Sequence, residues 1–188
     1  MRTIFFSTLA VSILVTGSFA QEVKQRRENQ QDRIANGVQS GQLTAGETAN
    51  LENREANLNK EIRTDRKQNG GNLTNNEKAQ INRQQNGISN KIYQDEHNAN
   101  KAQYGDNKVG ARRENQQDRI ANGIRSGQLN AKQTANLEKK ESGINKEVAA
   151  DRKANGGNLT NNEKAQVNRQ QNRLSRNIYR DKHNGVHQ

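Results

Sequence analysis

Apolar residues recur along the chain at the spacing of an amphipathic α-helix. Leu51, Leu58 and Ile62 are separated by seven and four positions, and the same spacing begins again at Ile81, 30 residues later. Such spacings place each set on one narrow face of a helix. The pattern predicts an all-α fold with a thin Leu/Ile core and with helices at 24–39, 45–68, 75–98, 110–125, 131–154 and 161–183.

This helical pattern occurs twice. Residues 24–102 align with 110–188 without gaps at an offset of 86, with 52 identities in 79 positions. A weaker repeat of 30 residues inside each half relates residues 41–47 to 71–77. Self-similarity of this kind is typical of proteins built from repeated helical units. We therefore expect a tandem duplication of a three-helix unit made of helix-turn-helix repeats.

The first 20 residues have the composition of a secretory signal peptide. Arg2 precedes an apolar stretch at 4–15, and small residues lead to Ala20, after which we expect cleavage. The rest divides into a helical repeat at 21–104, a linker at 105–110 and a second repeat at 111–188. No later segment holds the roughly 20 apolar residues of a membrane span. We expect an exported protein, periplasmic or secreted, with no transmembrane segment.

The composition limits the core and the chemistry. The 188 residues include 29 Asn and 20 Gln but no Cys, Pro or Trp, and all three Phe lie in the predicted signal peptide. The core must therefore consist of a few aliphatic side chains, each large one contributing roughly 1.5–3 kcal/mol when buried. Nucleophile elbows, zinc-protease motifs and phosphate-binding loops are missing from the sequence. These observations predict a protein that is not an enzyme and that carries no organic cofactor.

The motif G-x-L-T-x-x-E begins the second and third helices of the first half. Thr44 with Glu47, and Thr74 with Glu77, match the capping box. In this box the Thr side chain accepts a hydrogen bond from the helix N-terminus and the Glu side chain accepts one from the Thr N–H. This interpretation needs no ligand.

The same turns also resemble the EF-hand loop, which has Gly at its sixth position, an aliphatic residue at the eighth and Glu at the twelfth. The resemblance implies calcium ligands at Asp65, Thr74, Glu77, Asp151, Thr160 and Glu163. However, the first, third and fifth positions fall on Arg66, Gln68 and Gly70, where an EF-hand supplies oxygen donors. In the second half, Asn130 and Gln133 replace Thr44 and Glu47. Both preserve capping but remove the carboxylate, so capping is favoured and calcium remains the alternative.

Positive charge is concentrated in the second half. Residues 24–109 carry 14 basic and 11 acidic side chains, whereas residues 110–188 carry 16 and 8. Arg169, Arg173, Arg176 and Arg180 follow one another at spacings of four, three and four on the last predicted helix. A face of this kind attracts phosphates, lipopolysaccharide, anionic lipid or acidic polysaccharide, although a merely solvated face has the same appearance.

Other partners fit the sequence less well. After the predicted signal peptide only three aromatic residues remain, namely Tyr93, Tyr104 and Tyr179, so there is no row of rings on which nucleic acid bases stack. We expect no specific nucleic-acid binding. The high density of Asn and Gln is compatible with self-association of identical chains.

Turn motif and composition together resemble uncharacterised exported bacterial proteins made of Asn/Gln-rich helical repeats. Residues 69–77 and 155–163 carry the N-G-G-x-L-T-x-x-E turn of these proteins. The resemblance implies no known activity. From its charge, we expect a non-catalytic exported helical-repeat protein that binds or coats an anionic envelope or matrix component through the basic helix face. The alternative is calcium binding by degenerate EF-hand-like loops.

Overall fold

A computed structural model of the chain describes residues 16–105 and 107–186, and within them the backbone forms six α-helices. These are α1 (Thr16–Gln39), α2 (Ala45–Gln68), α3 (Asn75–Glu96), α4 (Lys108–Arg125), α5 (Ala131–Ala154) and α6 (Asn161–His183). The predicted all-α fold is confirmed, and each predicted helix is present. The main differences are that α1 starts at Thr16 and α4 at Lys108, both earlier than the pattern indicated.

The described residues leave out most of the predicted signal peptide, at 1–15, and residue 106 of the predicted linker. None of the six described helices combines the length and the apolar content that crossing a membrane requires.

Capping boxes begin four of the helices. Thr44, Thr74, Asn130 and Thr160 each accept a hydrogen bond from the backbone N–H three residues later, and the side chain at that third position accepts one in return. The prediction of a capping role for the G-x-L-T-x-x-E motif is therefore confirmed. Asn130 with its Gln partner forms the box as completely as Thr does with Glu, because both pairs offer two side-chain oxygens that accept from the same two backbone N–H groups.

A close approach between backbone and side chain shapes the turn from α1 to α2. The Leu43 N–H donates to the Gly37 carbonyl at 2.9 Å, which folds the buried Leu43 side chain back onto α1. A Cβ atom on Gly37 would lie 2.6 Å from Leu43 Cγ, so only glycine fits there. Gly123 and Leu129 repeat the arrangement between α4 and α5.

Both halves share a single hydrophobic core. Across the halves, α2 packs on α5 and α1 packs on α4, and the α2–α5 pair is the most extensive helix contact. In the described chain, α3 contacts only α1 and α2, and α6 contacts only α4 and α5. Leu51 and Leu137 are fully buried in the same cluster of side chains. The molecule therefore has four central helices, with α3 and α6 added on the outside.

Buried glutamines connect the outer helices to the central ones. Gln30 on α1 donates to the Gln85 carbonyl at 2.7 Å and to Ser89 Oγ at 2.8 Å, both on α3. Gln85 donates in return to the Val23 carbonyl on α1 at 3.0 Å. The same three bonds recur between α4 and α6. Part of the unusual amide content thus replaces apolar contacts between helices.

Two alanine substitutions test the turn geometry. We expect Gly37→Ala to lower the free energy of unfolding by roughly 1–3 kcal/mol, because its Cβ displaces Leu43. Gly87→Ala, at an exposed position inside α3 with nothing within 4 Å of the new Cβ, should raise it by roughly 0.5–1 kcal/mol. Urea denaturation followed by circular dichroism measures both. Equal effects of the two substitutions would contradict the packing of Leu43 against Gly37.

Candidate functional site

The four predicted arginines lie on the outer face of α6. Val167, Leu174 and Ile178 bury the opposite face of this helix against the core. This burial fixes the rotation of α6, and it leaves Arg169, Arg173, Arg176 and Arg180 exposed. The structure therefore brings the four predicted residues together on one accessible surface.

Three of these arginines are unpaired. Arg169, Arg173 and Arg176 line a shallow depression of about 330 Å³ together with Asn172, and none forms an ion pair with the described part of the chain. Arg180 differs because its guanidinium lies 3.1 Å from the Asp181 carboxylate. An anion can approach the first three without displacing a carboxylate.

The basic surface continues from α6 onto α4. Arg112 donates to Asn172 Oδ1 at the edge of the depression. Arg119 donates to the Ser175 carbonyl at 3.2 Å, and burial together with the Arg119 guanidinium lowers the pKa of Lys182. These three cations and the four predicted arginines together form what we call the basic surface, namely Arg112, Arg119, Arg169, Arg173, Arg176, Arg180 and Lys182.

In the first half the corresponding charges are neutralised. Arg26, equivalent to Arg112, pairs with Glu22 at 2.9 Å, and Arg33, equivalent to Arg119, pairs with Glu96 at 2.8 Å. At an offset of 86 the two carboxylates become Lys108 and Lys182. Two ion pairs are thus replaced by adjacent cations, although the helices themselves are repeated. The substitutions are visible in the sequence, but only the fold identifies which side chains they pair with.

The predicted calcium ligands have other partners. The Glu77 carboxylate accepts hydrogen bonds from the Thr74 N–H at 2.6 Å and from the Asn69 side-chain amide at 2.8 and 2.9 Å. Thr74 Oγ1 accepts from the Glu77 N–H, so its lone pairs also serve the cap. Thr160 and Glu163 repeat these bonds in the second half.

The aspartates of the proposed loops lie close enough to these glutamates for the glutamate charges to raise the pKa of the aspartates. Desolvation, followed by the carboxylates of Glu77 and Glu61, raises the pKa of Asp65. Asp151 has the same relation to Glu163 and Glu147. The structure therefore brings the carboxylates together, but no group of three or more His, Cys, Asp or Glu in its described part is placed to hold a metal ion.

Sequence reasoning missed a pair of buried carboxylates between the two halves. Glu52 on α2 and Glu138 on α5 are both completely buried. Gln31 donates to Glu52 at 3.1 Å and Gln117 donates to Glu138 at 3.0 Å, while the second oxygen of each glutamate has no hydrogen-bond partner. Burial raises the pKa of Glu52 well above its usual value and that of Glu138 to about 8. Burial therefore favours the protonated form of both carboxyl groups.

A second pair of buried carboxylates lies one helical turn further along. Burial raises the pKa of Glu55 and of Glu141 to about 7, against the opposing effect of Arg27 and Arg113. A signal for this pair was present in the sequence, because Glu55 continues the Leu51–Leu58 stripe at spacings of four and three. A charged residue on the apolar face of a helix indicates either a buried ionisable group or a partner.

Comparisons of the chain with models of known families, with curated proteins and with solved structures give no match. The candidate site is therefore defined by its own geometry.

The raised carboxylate pKa values predict stability that depends on pH. Between about pH 4.5 and pH 8 the folded protein holds protons on these glutamates that the unfolded chain has released, so stability falls as pH rises. We expect Glu138→Gln to reduce the fall in unfolding free energy between pH 5 and pH 8 by roughly 2–4 kcal/mol. Glu114→Gln, at an exposed position on α4, serves as the control. Urea titrations at each pH that gave parallel profiles for all three proteins would contradict the buried proton.

The engaged caps predict that calcium does not stabilise the fold. A circular dichroism melt in EDTA should show a cooperative helical transition, and millimolar calcium should leave its midpoint unchanged, with magnesium as the control. The reason is that the Glu77 and Glu163 carboxylates already accept hydrogen bonds from their own turns. A rise in the midpoint that is specific to calcium, and that Glu77→Gln removes, would instead support the EF-hand-like alternative.

Proposed function

We propose that this protein is a non-catalytic, exported helical-repeat protein that binds or coats an anionic envelope or matrix component through its basic surface. The observation that supports this proposal best is the set of unpaired arginines on α6, in particular Arg169, Arg173 and Arg176. Export is part of the proposal because it rests on the signal-like sequence of the first 20 residues.

The difference between the halves supports a role for this charge beyond solubility. The first half has Gly87, Asn90 and Gln94 at the positions of Arg173, Arg176 and Arg180. Its α3 packs as α6 does, so the arginines are not needed to fold this unit. Solvation alone therefore does not explain why cations accumulate on one of two equivalent faces.

The geometry favours a polyanion over a single small anion. The basic surface extends along α6 and reaches α4 through the Arg112–Asn172 contact, so several anionic groups in a row can be bound at once. Each exposed cation near an anionic surface contributes about 1 kcal/mol. Binding of this kind weakens as salt increases, because exposed charges are screened within about 8–10 Å. Lipopolysaccharide and acidic polysaccharide both offer repeated charges of this type.

The triple variant Arg169→Gln, Arg173→Gln, Arg176→Gln tests the proposal. We expect its affinity for lipopolysaccharide or heparin to fall by roughly 100-fold, because three contributions of about 1 kcal/mol are removed. Retention on the corresponding resins in a salt gradient, followed by titration of the soluble polymer, measures the change. Circular dichroism should show an unchanged helical fold, because all three side chains are exposed.

A second triple variant separates the surface from net charge. Arg54→Gln, Lys60→Gln and Lys67→Gln remove the same number of exposed cations from α2. We expect this variant to be retained almost as strongly as the original protein. If both triples lose affinity equally, retention depends on total charge and the proposed surface is wrong; if neither loses affinity, the arginines of α6 do not bind the polymer.

A further inference from the structure

A tyrosine covers a buried ion pair in the second half. The segment after α3 crosses the α1–α2 turn, where the Ala102 N–H donates to the Gly41 carbonyl at 2.9 Å, and it carries Tyr104 over α4. The Arg113 guanidinium carbon lies 5.4 Å from the centre of the Tyr104 ring. Arg113 Nε also donates to Glu141 at 3.4 Å, and both residues are buried. The aromatic ring and the ion pair therefore form one covered unit.

A glycine on α4 leaves space for the backbone of the segment that carries this tyrosine. A Cβ atom on Gly110 would lie 2.0 Å from the Tyr104 carbonyl oxygen, so the linker backbone can pass α4 only because residue 110 is glycine. The equivalent residue of the first half is Lys24. Asn107 then caps α4 by accepting hydrogen bonds from the N–H groups of Val109 and Gly110. The linker thus holds Tyr104 in a defined place.

In the described part of the chain, no aromatic ring lies over the equivalent arginine of the first half. Arg27 and Glu55 correspond to Arg113 and Glu141, but no hydrogen bond joins them. Arg27 Nε and both carboxylate oxygens of Glu55 are buried without a hydrogen-bond partner among residues 16–105 and 107–186. Glu55 is only 1% exposed and lines an open pocket of about 500 Å³. A buried carboxylate at a pocket wall with no hydrogen-bond donor is a costly arrangement that a ligand can relieve.

Apolar and cationic groups complete this pocket. Leu58 and Ile62 provide an aliphatic wall, and the cations of Lys24, Arg63 and Arg66 lie around it. The second-half pocket, about 520 Å³ in volume, has the segment 101–104 as one of its walls and has Ala149 in place of Arg63. The two pockets therefore have similar volumes but different walls: the start of α1, from Ala20 to Lys24, lines the first-half pocket, which is also more basic because of Arg63. Apart from Ala20, the residues that line the first-half pocket follow the predicted cleavage site.

We propose that the Arg27–Glu55 pocket of the first half binds a tyrosine side chain presented by an extended acidic peptide. The ring packs on the Arg27 guanidinium as Tyr104 packs on Arg113. The Tyr104 hydroxyl has no hydrogen-bond partner among the described residues, whereas the phenol O–H of the peptide donates to Glu55, whose two carboxylate oxygens lack a donor. Acidic residues that flank the tyrosine meet Arg63 and Arg66. The occupant is inferred from the molecule itself, since its own second half covers the equivalent ion pair with a tyrosine.

The segment that carries Tyr104 supplies the probe for this proposal. A fluorescent peptide with the sequence of residues 100–106, in which Glu replaces Lys101, is titrated with the full protein and followed by anisotropy. We expect saturable binding that weakens at least tenfold when the tyrosine of the peptide is replaced by alanine. Equal binding of the tyrosine and alanine peptides, or no binding at millimolar protein, would overturn the proposal.

Matched variants locate the binding. Asn59→Trp fills the first-half pocket and should weaken binding at least tenfold, whereas Asn145→Trp at the equivalent position of the second half should leave it unchanged. Arg63→Ala, which introduces the residue found at position 149, should reduce the preference for the acidic peptide without disturbing the core, because Arg63 is exposed. Thermal melts verify that each variant is folded. The proposal is wrong if the two tryptophan variants behave alike or if Arg63→Ala binds the acidic peptide as tightly as the original protein.

Discussion

The contact between α2 and α5 holds the two halves together, and it buries carboxylates along with apolar side chains. Leu51 and Leu137 lie in this contact beside Glu52 and Glu138, all fully buried. Burial penalises the ionised form of both carboxyl groups, so this contact favours bound protons. The stability of the fold, its dependence on pH and the association of the two halves therefore all depend on the same buried glutamates. Because the sequence is duplicated, each side of the contact contributes one such buried glutamate.

Amide side chains make such a thin core possible. Gln31 and Gln117 each provide a donor to one buried glutamate, and Gln30 and Gln85 connect α1 with α3 through backbone carbonyls. A hydrogen bond of this type contributes about 1 kcal/mol, less than a buried leucine, but it also fixes the relative rotation of two helices. The abundance of Gln therefore has a structural role in the interior, which a reading of composition alone assigns to hydration or self-association.

Local features of the fold were predictable, whereas long-range pairing was not. The helices and the capping turns follow from spacing and from Thr44 and its equivalents, because both depend on residues a few positions apart. The charge of α6 was also readable from its arginine spacing. Lys182 occupies the position equivalent to Glu96, and this exchange removes an ion pair. The loss is visible only in the fold, where Arg33 faces Glu96 and Arg119 faces Lys182 from a neighbouring helix. Glu55 illustrates the same limit, since its place on the apolar stripe indicated burial but not its neighbours.

A comparison of the two halves distinguishes the features that the fold requires from those that it tolerates. Features that recur, such as the Gly37–Leu43 turn and the buried glutamates, are those whose loss would disturb packing in either half. The core differs only by exchanges among aliphatic residues, such as Leu58 for Ile144. The differences in charge and in aromatic contact lie elsewhere: unpaired cations on α6, and a tyrosine over Arg113 but, among the described residues, not over Arg27. A surface that packing does not constrain is free to acquire binding properties, so the differences are the places to seek partners. On this molecule they lie at separate positions, one suited to a polyanion and the other to an aromatic side chain.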